Sequence, residues 1–329
     1  MKKILSKLLG GALLFGLTMS LTSCEDILGH WEKPTPNPIT PTVDDVIKYG
    51  FQLKSLGGVD LTGDATSLKM TKADGTLVAE AEVSAGKITI KNTDLTAASI
   101  TAAADFWFEA TVGTDDKYIA KVNIDPTTLS PESDKTLTMA TLGDMILDDG
   151  TFAASSSAGT KVAMIAYVGS DACEAGDAPY NHGLALALED ASTSAQWCNY
   201  NTGACLVSQK NSVDEAQGDM AGIANTDYLI DHAGSHTHSA ATAARNFSVA
   251  HPTGTTEWFL PSAGQRQKMI DAYGLTNLKT DAGDYKGMSG DYYLSTEYTA
   301  SQAWGFNSNG GWLMITKTIA KKVRSCLAF

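Results

Sequence analysis

The sequence predicts a mixed fold in which an N-terminal antiparallel β-sandwich is followed by an α+β domain. Residues 46–139 hold short segments of alternating apolar and polar residues at roughly ten-residue spacing, a pattern typical of sandwich strands. Residues 140–329 instead combine buried-strand patterns, helix signals and a closing group of strands. A short apolar leader precedes both parts, and the chain of 329 residues leaves room for two domains.

Residues 1–23 have the pattern of a signal peptide. Lys2, Lys3 and Lys7 give a basic start, and an apolar run follows over residues 8–21. That run is shorter than the about 20 apolar residues that a membrane-spanning helix needs. A basic start followed by a short apolar core is typical of a segment that is removed on export.

The segment Leu21-Thr22-Ser23-Cys24 resembles the lipobox of bacterial lipoproteins. The resemblance implies that the Cys24 thiol receives a diacylglycerol and anchors the mature chain to a membrane. The alternative is an ordinary signal peptide followed by a chance cysteine. Glu25 and Asp26 resemble the surface-export signal of Bacteroidetes lipoproteins. They imply a lipid-anchored outer-membrane protein that is exposed at the cell surface.

Residues 24–45 link this anchor to the folded part of the chain. The linker contains Pro34, Pro36, Pro38 and Pro41. Such spacing favours polyproline II, which rises about 3.1 Å per residue. We expect a stalk that lifts the folded part off the lipid, although a disordered tether without a mechanical role is equally compatible.

The net charge excludes one class of partner. It is −13 at neutral pH, whereas nucleic-acid-binding proteins carry basic surfaces. The same charge argues against a basic patch that binds a membrane surface. We therefore expect no nucleic-acid partner.

Four cysteines follow Cys24: Cys173, Cys198, Cys205 and Cys326. Outside the cytoplasm an even number is compatible with two disulfides. Cys198 and Cys205 lie in one Asn-, Thr- and Gly-rich loop and are predicted to close a local ring, while the other two pair or stay reduced. The chain has no Cys-x-x-Cys pair and no Cys/His zinc spacing, so we predict no metal site and no resident cofactor.

The β-sandwich is predicted over residues 46–139. Residues 77–83 (LVAEAEV), 87–91 (KITIK) and 118–122 (YIAKV) alternate apolar and polar side chains. Such strands bury one face and leave the other in water. The region contains no histidine and no cysteine, so we interpret it as a structural or spacer domain.

The α+β domain is predicted over residues 140–329. Residues 161–168 and 183–188 are apolar runs of buried-strand length. Helix-start signals follow at Asn225-Thr226 and at Ser239. The chain closes with four segments predicted as strands, at 292–298, 303–307, 311–319 and 323–329.

One helix is predicted with both of its ends. Ser262 and Gln265 fit a capping box, in which each side chain bonds the backbone of the other residue. Gly274 stands where a left-handed residue ends a helix. The helix therefore covers residues 263–273.

Several motifs of the C-terminal half occur in a recognisable order. They are Gly143-Asp144, Asp149-Gly150-Thr151, GLALALEDAS at 183–192, Asp219-Met220-Ala221-Gly222, WFLPSAGQ at 258–265, YLSTE at 293–297, Ala303-Trp304 and VRSCLAF at 323–329. This set resembles a domain of Bacteroidetes surface lipoproteins related to the C-terminal domain of Legionella collagen-like adhesins. The resemblance implies a C-type-lectin-like fold. The chain departs from the family at Leu294, since the family usually has Trp-Ser-Ser-Thr-Glu where this chain has Leu-Ser-Thr-Glu.

The resemblance implies a non-enzymatic adhesin or fimbrial accessory (tip-type) protein, with residues 46–139 similar to fimbrillin domains in general texture. A glycan-capturing lipoprotein of a nutrient-uptake system and a structural envelope lipoprotein are the alternatives. Some Bacteroidetes pilins are cleaved after arginine, but the first arginine here is Arg245. Arginine-specific maturation of the N-terminal domain is therefore excluded. The chain has no GxSxG, HExxH or P-loop motif, so we expect no enzyme.

Long Gly-, Ser- and Asp-rich loops near the C-terminus are the predicted recognition surface. The residues predicted to bind a glycan or a protein, including pilin subunits, are Asp284, Asp291, Tyr292, Asn307 and Trp312. Asp281, Asp284 and Asp291 also offer oxygen ligands that suit Ca²⁺, although a solvated loop explains them as well. Trp258 and Trp304 are predicted to be core residues.

Two further groups of side chains in this half have a predicted arrangement. His232, His236 and His238 follow Asp231 and form a local group that favours a polar loop over a metal site. Glu297 and Arg324 are predicted to pair across the closing sheet.

Overall fold

The computed structural model describes residues 47–174, 179–206, 208–232 and 236–329. The predicted signal peptide, the lipidated Cys24 and the linker to residue 45 lie outside these residues and stay predictions. The described residues all belong to one compact unit. In the described part of the chain, no helix has the length and apolar character needed to cross a membrane.

The N-terminal region is built from one sheet of eight strands. They are β1 (Lys48–Ser55), β2 (Ala65–Thr71), β3 (Leu77–Glu80), β4 (Glu82–Ser84), β5 (Lys87–Lys91), β6 (Ala104–Val112), β7 (Asp116–Ile124) and β8 (Lys135–Thr141), with a short helix α1 (Asn92–Ala97) after β5. Their order in the sheet is β3-β2-β6-β7-β8-β1-β5-β4. The long sheet folds over a single apolar core, which makes this region sandwich-like.

Alternate residues of these strands form that core. Phe51 and Leu53 of β1, Leu68 of β2, Phe108 of β6 and Leu137 of β8 are all buried. The rings of Phe51 and Phe108 lie 5.7 Å apart. Burial of each such side chain stabilises the fold by about 1.5–3 kcal/mol.

The prediction of a purely antiparallel region is wrong for one pair of neighbours. Strands β1 and β8 run parallel, with Phe51 opposite Lys135 and Leu53 opposite Leu137. The alternation of apolar residues determines which face of a strand is buried, but it does not determine the direction of the neighbouring strand.

The described part of the C-terminal half contains two five-stranded sheets. The first has the order β10-β9-β11-β12-β18 and the second β13-β17-β14-β15-β16. Their strands are β9 (Met145–Leu147), β10 (Phe152–Ala153), β11 (Lys161–Val168), β12 (Gly183–Ala187), β13 (Ser192–Gln196), β14 (Asp291–Thr299), β15 (Gln302–Asn307), β16 (Trp312–Thr316), β17 (Ala320–Val323) and β18 (Cys326–Ala328). The predicted strands at 161–168 and 183–188 are confirmed, the second one residue shorter.

Five helices accompany these sheets in the described residues. They are α2 (Val213–Gln217), α3 (Gly222–Asp231), α4 (Ser239–Arg245), α5 (Ala263–Tyr273) and α6 (Leu275–Lys279). The predicted helix α5 is confirmed with both ends: Ser262 and Gln265 form the capping box, and Gly274 has a φ of 85°. Helices and sheets thus share this half, while the likeness to C-type-lectin-like domains stays a prediction.

The two halves share a buried apolar cluster. Trp107 and Ile119 of the N-terminal sheet pack in it with Val162 and Phe329 of the C-terminal half. The Trp107 ring also stacks on His182, with ring centroids 4.3 Å apart. The predicted boundary near residue 140 therefore separates two sheets that meet through a common core, and independent folding of residues 140–329 stays a prediction.

Candidate functional site

Three of the predicted ligand-binding residues lie together at one end of the second C-terminal sheet. Asp291 begins β14, Asn307 ends β15 and Trp312 begins β16. Asp291 lies opposite Asn307, and Trp312 lies opposite Phe306. The antiparallel pairing of β14, β15 and β16 therefore brings Asn307 and Trp312 close to Asp291, although they lie 16 and 21 positions further along the chain.

The Asn307 side chain forms hydrogen bonds within the β15–β16 turn. Its Oδ1 accepts the backbone N–H groups of Asn309 (2.9 Å) and Gly311 (3.0 Å). Gly310 has a φ of 87°, a conformation that glycine adopts without strain. Asn307 thus fixes the shape of the β15–β16 turn through its amide oxygen, and its role in ligand binding stays a prediction.

Trp312 is half-buried and held from two sides. Its ring packs edge-on against Trp304, with centroids 5.6 Å apart. The guanidinium of Arg266 lies 4.7 Å from the Trp312 ring and 4.7 Å from the Phe306 ring. Such cation–π contacts stabilise by about 0.5–2 kcal/mol each. Trp312 is therefore presented in a fixed orientation.

Arg266 is the cation that organises this end of the sheet. It donates to the Gly310 carbonyl (3.0 Å) and to Gln267 Oε1 (2.9 Å), while its Nε is buried without a hydrogen-bond partner among the described residues. Burial lowers the pKa of Arg266 to about 10, and the nearby Asp271 opposes this shift. Arg266 was not predicted as a site residue, although it is one of only three arginines in the chain.

A small apolar cavity lies behind Arg266. Met269, Leu275, Leu278 and Met288 contribute to its wall. Its volume of about 20 Å³ has room for a water molecule and not for a sugar. This cavity is therefore too small to enclose a sugar ring.

Tyr292 is placed differently from the prediction. It is 1% exposed, stacks on Phe306 at 5.4 Å and donates its hydroxyl hydrogen to Asp190 (3.0 Å). Burial raises the pKa of Tyr292. Both faces of β14 are covered, so Tyr292 cannot offer an apolar contact at the surface. The sequence pattern of so short a segment does not show whether both faces of the strand are buried.

The three carboxylates considered for calcium have separate partners. Asp284 pairs with Lys161 (2.8 Å), and this ammonium group lowers the pKa of Asp284. Asp291 pairs with Lys321 (2.6 Å). Asp281 accepts the backbone N–H of Gly287 (2.8 Å). The structure does not bring these side chains together, so calcium binding stays a prediction without a preformed cluster.

The predicted pair of Glu297 and Arg324 is wrong. Arg324 donates to Asp190 (2.9 Å). Glu297 instead forms an ion pair with Lys317, and both side chains are fully buried. Sequence patterns predicted the strand that carries Glu297 but not its partner, because that choice depends on how the strands are placed in the sheet.

The outer edge of the second sheet carries exposed apolar side chains. β16 is its last strand and pairs with β15, and no other described strand lies beside it. Trp312 and Met314 share one face, because side chains alternate along a strand. Met314 is 51% exposed, and Ile319 just beyond the strand is 50% exposed. Met314 and Ile319 were not predicted as site residues.

Cys198 and Cys205 lie side by side, as the disulfide prediction requires, but both are thiols in the structure. The disulfide itself stays a prediction. Burial raises the pKa of Cys205 to about 12. His238 is the third member of this group, and burial lowers its pKa, which favours the neutral imidazole.

The other two histidines of the local group lie elsewhere. His232 stacks on Tyr228 with centroids 4.1 Å apart, and His236 stacks on Tyr200 at 4.4 Å. The predicted core positions of Trp258 and Trp304 are confirmed, since both are 2% exposed.

This chain shows little similarity to known proteins. The chain matches no protein-family model and no curated protein. Among solved structures it is similar to a fimbrial protein from Bacteroides ovatus, with 14% sequence identity and a TM-score of 0.46. The alignment covers 86% of this chain and 71% of that chain. A similarity this distant defines neither the fold nor the function of the present chain.

Proposed function

We propose that the chain is a non-enzymatic, lipid-anchored surface protein that binds a partner as an adhesin or fimbrial accessory (tip-type) protein. The observation that carries the proposal is the outer edge of β16, with Trp312 and Met314 on one face. A strand edge offers backbone N–H and C=O groups to an extended segment of another protein. Exposed apolar residues on the same strand add contact area and selectivity.

The contacts around β16 support a prepared surface. Arg266 holds the Trp312 ring, and the Asn307 amide holds the preceding turn. A surface that is already ordered loses less conformational entropy on binding. We therefore infer that the partner adds a strand to β16 and packs apolar side chains against Trp312 and Met314.

Charge adds a second requirement. The chain has a net charge of −13, so a partner with a basic or neutral binding segment is favoured over an acidic one. A pilin subunit with an extended terminal segment has the required chemistry. A glycan would instead have to stack on Trp312, one face of which is already covered by Arg266.

The test compares two matched variants of the full-length chain in detergent. Met314→Lys places a charge on the β16 edge, and Leu77→Lys does the same on β3, an edge strand of the N-terminal sheet; both residues are 51% exposed. The probes are purified pilin subunits and a glycan array, each with and without Ca²⁺. We expect Met314→Lys to weaken pilin binding by at least about tenfold and Leu77→Lys to leave it unchanged.

Each other result assigns a different role. Binding to glycans alone, lost on Trp312→Ala, would replace the proposal by the glycan-capture role. If both lysine variants bind the pilin subunits equally well, β16 is not the binding surface. Absence of binding to every probe would favour a structural envelope protein.

A further inference from the structure

Three metal-ligating side chains from separate segments meet in the C-terminal half. They are Cys198 after β13, Cys205 in the following loop and His238 at the start of α4, and their donor atoms all lie within 4.8 Å of one another. Cys198 is fully buried, His238 is 4% exposed and Cys205 is partly exposed. The group lies in a different core cluster from Cys326.

Hydrogen bonds hold the first and third segments against each other. The backbone N–H of Asn199, next to Cys198, donates to the carbonyl of Thr237 (3.0 Å). The backbone N–H of Thr237, next to His238, donates to Asn199 Oδ1 (2.9 Å). This pair of bonds fixes the distance between Cys198 and His238.

A buried ion pair holds the second segment. The Glu297 carboxylate accepts the backbone N–H groups of Cys205 (2.9 Å) and Leu206 (2.7 Å). Lys317 pairs with Glu297 and also donates to the Gly203 carbonyl (2.9 Å). The loop that carries Cys205 is therefore fixed by charge-assisted bonds, which are stronger than neutral ones.

His238 has one buried ring nitrogen that makes no hydrogen bond to a described residue. Its Nδ1 is buried and has no hydrogen-bond partner among the described residues. The ring packs edge-on against Trp197, with centroids 5.8 Å apart. A buried polar atom without a partner destabilises the folded state, and coordination of a metal by Nδ1 would supply the missing partner.

We propose that Cys198, Cys205 and His238 bind a Zn²⁺ ion, with a water molecule as the fourth ligand. Zinc bonds of about 2.0–2.3 Å in a tetrahedron place neighbouring ligand atoms about 3.5–3.8 Å apart. The three ligand atoms, now within 4.8 Å of one another, would therefore have to move closer together by about 1 Å to bind the ion. The two thiols release their protons to solvent as two Zn–S bonds form. The partly exposed side of Cys205 admits the water.

The balance of charge suits Zn²⁺. Two thiolates and one Zn²⁺ are neutral together, and Glu297 and Lys317 already neutralise each other. A Cys198–Cys205 disulfide is the competing outcome, but it would leave the Nδ1 of His238 without a partner.

The test uses the full-length chain, purified in detergent under anaerobic reducing conditions and loaded with Zn²⁺ alone before gel filtration. We expect about one zinc ion per chain by mass spectrometry. In Cys198→Ala and His238→Ala the zinc content should be lower by at least about tenfold. Cys326→Ala removes another fully buried cysteine and should keep its zinc. Near-UV circular dichroism of the tryptophans checks that each variant is folded.

A second measurement needs no variant. Co²⁺ bound to the unaltered chain should give the thiolate-to-metal charge-transfer absorption and the visible bands of a tetrahedral site. The proposal is overturned by zinc content no higher than in Cys198→Ala, or by a mapped Cys198–Cys205 disulfide in chain isolated from the cell envelope. None of these results would affect the proposed binding role, since none of the three ligands lies on β16.

Discussion

At the scale of single residues, the buried pair of Glu297 and Lys317 is the most consequential feature. Both side chains are fully buried, and together they hold the loop that carries Cys205 and Leu206. A charge in such a place depends on its partner, because water cannot replace the lost interaction. This pair therefore supports the local structure of the C-terminal half.

We expect Lys317→Met to lower the free energy of unfolding by about 3–5 kcal/mol, because it leaves the Glu297 carboxylate buried without a cation. Lys69→Met is the matched control, since Lys69 and Glu80 form a pair in which both side chains are more than half exposed. It should change stability by less than about 1 kcal/mol. Urea unfolding in the presence of a chelator measures both variants.

The companion variant separates charge from packing. Adding Glu297→Gln to Lys317→Met removes the uncompensated charge and should recover part of the lost stability. If Lys317→Met and Lys69→Met destabilise equally, the buried pair does not have the role assigned to it.

The sequence predicted the interaction partners of individual side chains least well. The Glu297–Arg324 pair was wrong, because Glu297 finds Lys317 and Arg324 finds Asp190. The group of Cys198, Cys205 and His238 has no recognisable spacing in the sequence, because its members meet only after α4 packs against β13. The available signal was the presence of both cysteines and a histidine in nearby polar loops.

At the scale of elements, local signals were sufficient where the element is defined by its own ends. Helix α5 begins and ends as predicted, because the capping box and Gly274 act within a few residues. The direction of β1 beside β8 was not predictable, since it depends on a contact between residues about 85 positions apart.

The cap of α5 gives a test at this scale. Ser262 accepts the N–H of Gln265 (3.4 Å) and donates to the Asp219 carbonyl (2.6 Å), and it is fully buried. We expect Ser262→Ala to cost about 1–3 kcal/mol, because a cap and a buried hydrogen bond are both lost.

Ser212→Ala is the control for this cap. Ser212 caps the short helix α2 through the N–H of Glu215 (3.2 Å) at an exposed position. Its loss should cost about 0.5–1 kcal/mol. Thermal unfolding of both variants measures the difference, and a larger effect of Ser212→Ala would contradict the assigned role of the α5 cap.

At the scale of the whole molecule, the shared apolar cluster links the two predicted domains. Trp107 and Ile119 contribute to it from one half, and Val162 and Phe329 from the other. A fragment of residues 140–329 would expose its part of this cluster to water. Each large apolar side chain that is no longer buried costs about 1.5–3 kcal/mol.

We therefore expect residues 140–329, released by limited proteolysis, to fold but to unfold at a lower temperature than in the full chain. Near-UV circular dichroism of the tryptophans in this segment follows the transition. An equal melting temperature would show that the shared cluster contributes nothing to stability. Failure of the fragment to fold would contradict the predicted boundary near residue 140.

We propose that this chain is anchored by Cys24 and displayed at the cell surface. The test is antibody labelling of intact, non-permeabilised cells that express the full-length chain, with Cys24→Ala as the unanchored control. We expect strong labelling of intact cells that disappears in the control, whose chain is released or retained without lipid. Labelling that requires lysis of the cells would contradict surface display, and equal labelling of the control would contradict the lipid anchor.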